Sequence, residues 1–185
     1  MHLCTMIPEQ LPRAQRNISR PGGAVSPKAR PLVGAALLAF AMHTGTASAD
    51  SAQLKVDYAA TFGPPEVISL DPLIASVVDK MSGTASLLGH YSGTYPHLVN
   101  FSAGTFAGTA TFRAANGDIL VIDLGGSGTP TGPTTFDVSF SGVIAGGTGR
   151  LAGAQGTVTG PGSVDVAKGA VTGRLEGVIT APGLN

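Results

Sequence analysis

The chain has no tryptophan, and one cysteine, Cys4, among its 185 residues. A single thiol closes no disulfide within the chain, so any stable domain must rest on an apolar core. Aromatic residues are 5% of the chain and charged residues 12%, with acids and bases equal at 11 each. With no basic excess there is no field to gather phosphate backbones, which argues against nucleic-acid binding. No apolar run reaches the roughly 20 residues a helix needs to span a bilayer. Histidine is scarce as well. Beyond residue 49 only His90 and His97 occur, and their opposite parity along a strand sends them to opposite faces. A metal centre needs three or four convergent ligands, so neither a metal nor a cofactor is expected.

The even charge balance conceals an uneven distribution. Residues 1–49 hold Arg13, Arg16, Arg20, Lys28 and Arg30 against the single acid Glu9. The basic stretch ends at Lys28-Ala29-Arg30, the apolar run Pro31 to Met42 follows, and small residues close on Ala47-Ser48-Ala49. Basic, then apolar, then small-x-small is the order of a secretory signal peptide. The expected division is a signal peptide at 1–49 and one domain at 50–185. Cleavage near Ala49 would place the mature protein in the periplasm or outside the cell, without cysteine and without a membrane span.

What the chain does have is glycine, 27 residues of it, among β-branched residues that suit a pleated surface. Alternation of apolar and polar positions marks strands. Leu54-Lys55-Val56-Asp57-Tyr58 alternates within a segment, Asp50 to Phe62, that Gly63-Pro64-Pro65 stops. Glu66 to Leu70 reads as a short strand. Asp71-Pro72 resembles a helix start, and Leu73, Val77 and Met81 would share a stripe, so 71–81 reads as a short helix or lid. A buried strand over Leu73 to Val78 is the alternative. Thr84 to Gly89 is a further short strand.

The next strand, Tyr91 to Phe101, puts Tyr91, Tyr95, His97, Val99 and Phe101 on one face, and Pro96 inside it implies an edge or a bulge. Thr105 to Arg113 then alternates cleanly, with Phe106, Gly108, Ala110 and Phe112 together. Ala115-Asn116-Gly117 reads as a hairpin turn, because Asn-Gly accepts positive φ. The partner strand, Asp118 to Leu124, is apolar on both faces, so its outer face is expected to pack against something, a second copy included. Gly125 to Pro133 has the composition of a loop. Phe136, Val138 and Phe140 point one way from the strand after it. Gly160-Pro161-Gly162 reads as a break, and Ala170 to Ile179 is the last strand, with Arg174 and Glu176 facing out.

Between these last strands lies a glycine-dense turn, Gly146-Gly147-Thr148-Gly149-Arg150-Leu151-Ala152-Gly153-Ala154-Gln155-Gly156. Its spacing is not the dinucleotide fingerprint, and no helical pattern or βαβ unit follows, so it reads as structural. Gly146, Gly147, Gly149, Gly153 and Gly156 shape it. Arg150 is expected to bond carbonyls that such turns leave unpaired, or a carboxylate. About eight strands joined by tight turns fit a small closed antiparallel β-barrel, an all-β architecture that removes sheet edges, with a β-sandwich as the alternative.

The turn Gly146 to Leu151 followed by Ala154-Gln155-Gly156, the Ala114-to-Asp118 hairpin, and Leu87-Leu88-Gly89 before a Tyr/Phe-rich strand together resemble the allene oxide cyclase and dirigent barrels. They are most similar to the bacterial allene-oxide-cyclase-barrel-like domain. The resemblance covers about Ser82 to Ile179, with Leu151 where an aromatic is more usual. It implies an eight-stranded barrel around an apolar cavity, and in some members steering of cyclisations or radical couplings. It carries no catalytic residue onto this chain.

Three functions follow as expectations. The barrel binds an apolar small molecule, with Tyr91, Tyr95, His97, Phe106, Phe112, Phe136 and Phe140 lining the cavity. Alternatively, the cavity is that of a cofactor-free cyclase or dirigent-like enzyme. In the third, the protein is a surface or matrix interaction protein with no ligand. No serine hydrolase constellation is present.

Overall fold

The computed structural model describes residues 49–184, and the expected signal peptide falls almost wholly outside them. The described chain is all-β. Its strands are β1 (Asp50–Phe62), β2 (Glu66–Leu70), β3 (Leu73–Ala85), β4 (Gly89–Asn100), β5 (Thr105–Ala114), β6 (Ile119–Pro130), β7 (Thr135–Gly147), β8 (Gln155–Asp165) and β9 (Ala170–Ala181). From β3 to β9 each strand pairs antiparallel with the next. β1 closes the ring by pairing with β9 along its whole length and with the second half of β3. The result is a closed barrel of eight strands.

β2 lies outside the ring. It pairs with the first half of β3, from Glu66↔Ser76 to Leu70↔Leu73. β1 and β2 thus share one edge of β3, separated by the prolines at 64 and 65. Proline has no N–H to give a ladder, so the chain changes course there.

Side-chain parity explains the core. Leu54, Val56, Tyr58 and Ala60 on β1 are buried, as are Leu120, Ile122 and Leu124 on β6 and Leu175 and Ile179 on β9, while their neighbours face water. A glycine on the neighbouring strand leaves room for a large inward side chain. Phe106 lies over Gly126, where a Cβ would sit 2.7 Å from the ring.

Several expectations are corrected by these pairings. Residues 73–85 form a strand, not a helix; Leu73, Val77 and Met81 satisfy helical spacing, but they equally share one parity of a strand, on which Val77 and Met81 are buried and Leu73 is exposed, and β1 and β4 flank it. Thr84 is the end of that strand, and a turn at 86–88 follows. Pro96 marks neither an edge nor a bulge. β4 is interior, and its pairs with β5 resume in the same register after Tyr95 and Pro96. The supposed loop 125–133 is strand as far as Pro130, because β5 and β7 bond its backbone from both sides. The break at 160–162 is likewise strand: β8 runs through, and only the pairs of Gly160 and Pro161 with β9 are missing. Phe101 lies in the turn after β4.

The outer face of Val121 on β6 opens on a shallow groove shared with Val143, Ala145 and Gln155. Among the described residues no helix is long and apolar enough to cross a membrane.

Candidate functional site

The two ends of the barrel differ. At one end Leu88, Leu151 and Ala154 are buried and stopper the interior. Leu151 comes from a single 3-10 turn, Gly149–Leu151, in the glycine-rich connection. Gly149 is required there. Its φ is +59°, and a Cβ would run into the Asp118 carboxylate. Asp118 in turn accepts from Asn116 Nδ2 at 3.0 Å and Arg150 Nε at 3.4 Å. Arg150 also reaches the Leu87 carbonyl, 3.3 Å away. The turn therefore ties the 114–118 hairpin to the turn before β4. Gly146, Gly153 and Gly156 have positive φ of 141°, 72° and 145°, and Gly147 ends β7 against Leu151.

The other end is open. A cavity of about 160 Å³ enters it, lined by the last residues of β1, β4, β6 and β8 and the first of β3, β5, β7 and β9. Of the seven residues expected to line a cavity, five do: Tyr95, His97, Phe106, Phe136 and Phe140. Tyr91 and Phe112 do not. Their rings pack edge to face at 5.2 Å in the filled half of the barrel, where Phe112 is wholly buried. Val77, Val99, Val138 and Val171 complete an apolar wall, and Phe62 and Phe101 stand at its entrance.

The aromatic groups form a continuous set. His97 stacks on Tyr95 at 4.2 Å, and Phe106 meets His97 at 6.1 Å and Phe140 at 5.2 Å. Tyr58 meets Phe140 from below at 5.7 Å. The Tyr95 hydroxyl donates to the Leu124 carbonyl at 2.8 Å, so it is already committed. His97 Nδ1 lies 3.0 Å from the Tyr95 carbonyl. A carbonyl can only accept, so Nδ1 carries the proton and Nε2 is left as an acceptor. Burial lowers the His97 pKa, which keeps the ring neutral.

Asp79 is the residue that sequence reading missed. It projects inward from β3 between Val77 and Met81, is 6% exposed, and lines the cavity. Its Oδ1 is buried without a protein partner. Burial pushes its pKa from 3.8 to about 7. The loss of hydration penalises the ionised form, and no cation offsets it. Tyr58 and Tyr95 are also pushed up, first by burial and then by the charge of Asp79. The signal was in the alternation Val77-x-Asp79-x-Met81, which only a strand reading turns inward. Among the described residues no group of three or more His, Cys, Asp or Glu side chains could hold a metal ion.

No protein-family model and no curated protein matches the chain. Among solved structures it is similar to that of the pterocarpan synthase dirigent protein, at 17% identity over 71% of this chain and 85% of that one, with a TM-score of 0.45. The closed eight-stranded barrel implied by the allene oxide cyclase and dirigent resemblance is the architecture found, and it rests here on the hydrogen-bonded ring itself.

Proposed function

We propose that the mature chain is a secreted barrel that binds an apolar small molecule at its open end. One observation carries this: a mostly apolar cavity holds a buried carboxyl with an unpartnered oxygen. Ligand sites are concave, mostly apolar and furnished with a few polar groups that fix orientation. Leaving a buried polar atom unpaired costs stability, and a ligand that pairs with it recovers that cost. Secretion is supported by the order of basic, apolar and small residues before Asp50. The test is binding of a neutral apolar fluorophore such as Nile red. Wild type is expected to bind it, and Val99→Trp, which fills the entrance, to lose binding without a fall in melting temperature. Equal binding by both proteins would place the dye elsewhere and remove the proposal.

A second reading, a cofactor-free cyclase using the same cavity, is favoured by the Asp79 pKa of about 7. A carboxyl that titrates near neutrality can both give and take a proton. Compound retained by protein purified from its own host separates the two readings. A binding protein returns it unchanged, and an enzyme carries a converted product or converts added precursor.

A further inference from the structure

The cavity's polar groups are acceptors or neutral hydroxyls, those of Thr105 in the lining and of Tyr58 beneath it, the latter without a partner. Asp79 supplies a carboxyl with a free oxygen. His97, with its Nδ1–H spent on the Tyr95 carbonyl, keeps an acceptor at Nε2. The Tyr95 hydroxyl, the obvious donor, is spent on Leu124. Among the described residues no lysine or arginine lines the cavity. The titratable groups whose charge bears on Asp79 are Tyr58 from β1 and Tyr95 from β4, His97 lines the same cavity, and none of them brings a positive charge. What the site lacks is a donor that carries charge.

We propose that the cavity takes a small protonated amine with an apolar body, its ammonium group on Asp79 and its hydrocarbon among Tyr95, His97, Phe106, Phe136 and Phe140. This deepens the binding reading above and rests on it. An ammonium has three donors and no acceptor, which suits the free carboxyl oxygen of Asp79 and the Nε2 of His97. Aromatic faces attract a cation within about 6 Å of the ring, more strongly when water is excluded. A carboxylate ligand would meet Asp79 with like charge and no compensating base. A neutral alcohol could pair with Asp79 but would bring no charge to it. The exchange is balanced. Below the pKa of Asp79 the amine arrives already protonated, Asp79 gives its proton to the buffer, and the bound pair is ammonium and carboxylate.

The experiment is calorimetric titration of the mature protein with three probes of one shape: 2-phenylethylamine, 2-phenylethanol and 3-phenylpropanoate. At pH 7 the amine is expected to bind at least roughly tenfold more tightly than the alcohol, and the propanoate not measurably. At pH 6, amine binding releases about one proton, read from the dependence of the heat on buffer ionisation enthalpy, and alcohol binding releases none. Asp79→Asn is expected to weaken the amine at least roughly tenfold and to weaken the alcohol less, so that the amine loses its advantage over the alcohol. The proton count needs no variant, so it stands if Asp79→Asn folds poorly. Equal affinity for amine and alcohol, or amine binding without proton release, overturns the ammonium assignment and leaves an apolar cavity site. If neither probe nor a neutral dye binds, the cavity reading falls with it.

Discussion

Asp79→Asn should remove a component of stability that runs against the usual pH trend of a carboxylate. In the unfolded chain Asp79 titrates at 3.8, and in the barrel at about 7. Between those values the folded state holds the proton and the unfolded state does not. Stability therefore falls as pH rises through this window, is highest below pH 4, and levels off above pH 7. Raising a carboxyl that far corresponds to ~4 kcal/mol. Water at the open mouth relieves part of this, so about 2–4 kcal/mol is expected. His97, lowered by burial, acts in the opposite sense within part of the same window, its contribution rising with pH. Comparing wild type with Asp79→Asn at each pH cancels it. The assay is urea unfolding of both proteins at pH 4.5 and pH 8. The stability of wild type relative to the variant should drop by about 2–4 kcal/mol between the two conditions. A difference that stays constant to within ~0.5 kcal/mol would show that Asp79 is not held in an apolar wall.

Other perturbations follow from the packing. Gly149→Ala forces a side chain into the Asp118 carboxylate at positive φ and should cost ~1–3 kcal/mol by urea unfolding. Phe112→Ala opens a void in the filled half of the barrel and should cost ~3–5 kcal/mol without abolishing dye binding in the remaining folded fraction. Tyr95→Phe removes the 2.8 Å bond to Leu124 and should cost about 1 kcal/mol. Arg174→Ala breaks an ion pair with Asp57 in which both side chains are more than half exposed, and should leave the melting temperature unchanged.

How far the sequence discloses this arrangement depends on the element. β5, β7 and β9 carry their large apolar residues, with glycine or alanine among them, at one parity and mostly polar residues at the other, so their faces are plain. β3 is not, because Leu73, Val77 and Met81 fit both a helix stripe and one parity of a strand. Only the strands that pair on its two sides, β1 and β4, decide the matter. Asp79 was lost with that segment. Residues 125–130 have loop composition, but strands on both sides fix their backbone in the ring. Pro96 and Pro161 interrupt one ladder each and shift neither. Local composition does not register that a barrel tolerates such gaps while strands on the opposite side remain bonded. The turn at 146–156 was legible as structure. That its Leu151 stoppers one end, so that the cavity lies at the other, was not, since this depends on where the turn folds back.

The most direct measurement is nuclear magnetic resonance of the protein titrated with a neutral apolar ligand, following backbone amide shifts. Perturbations should cluster at Val77, Asp79, Tyr95, Phe106, Gly128 and Val171, around the open mouth, and spare Leu88, Leu151 and Ala154. Shifts centred on Leu151 and Leu88, or spread over the outer groove at Val121 and Val143, would contradict a ligand site inside this end of the barrel.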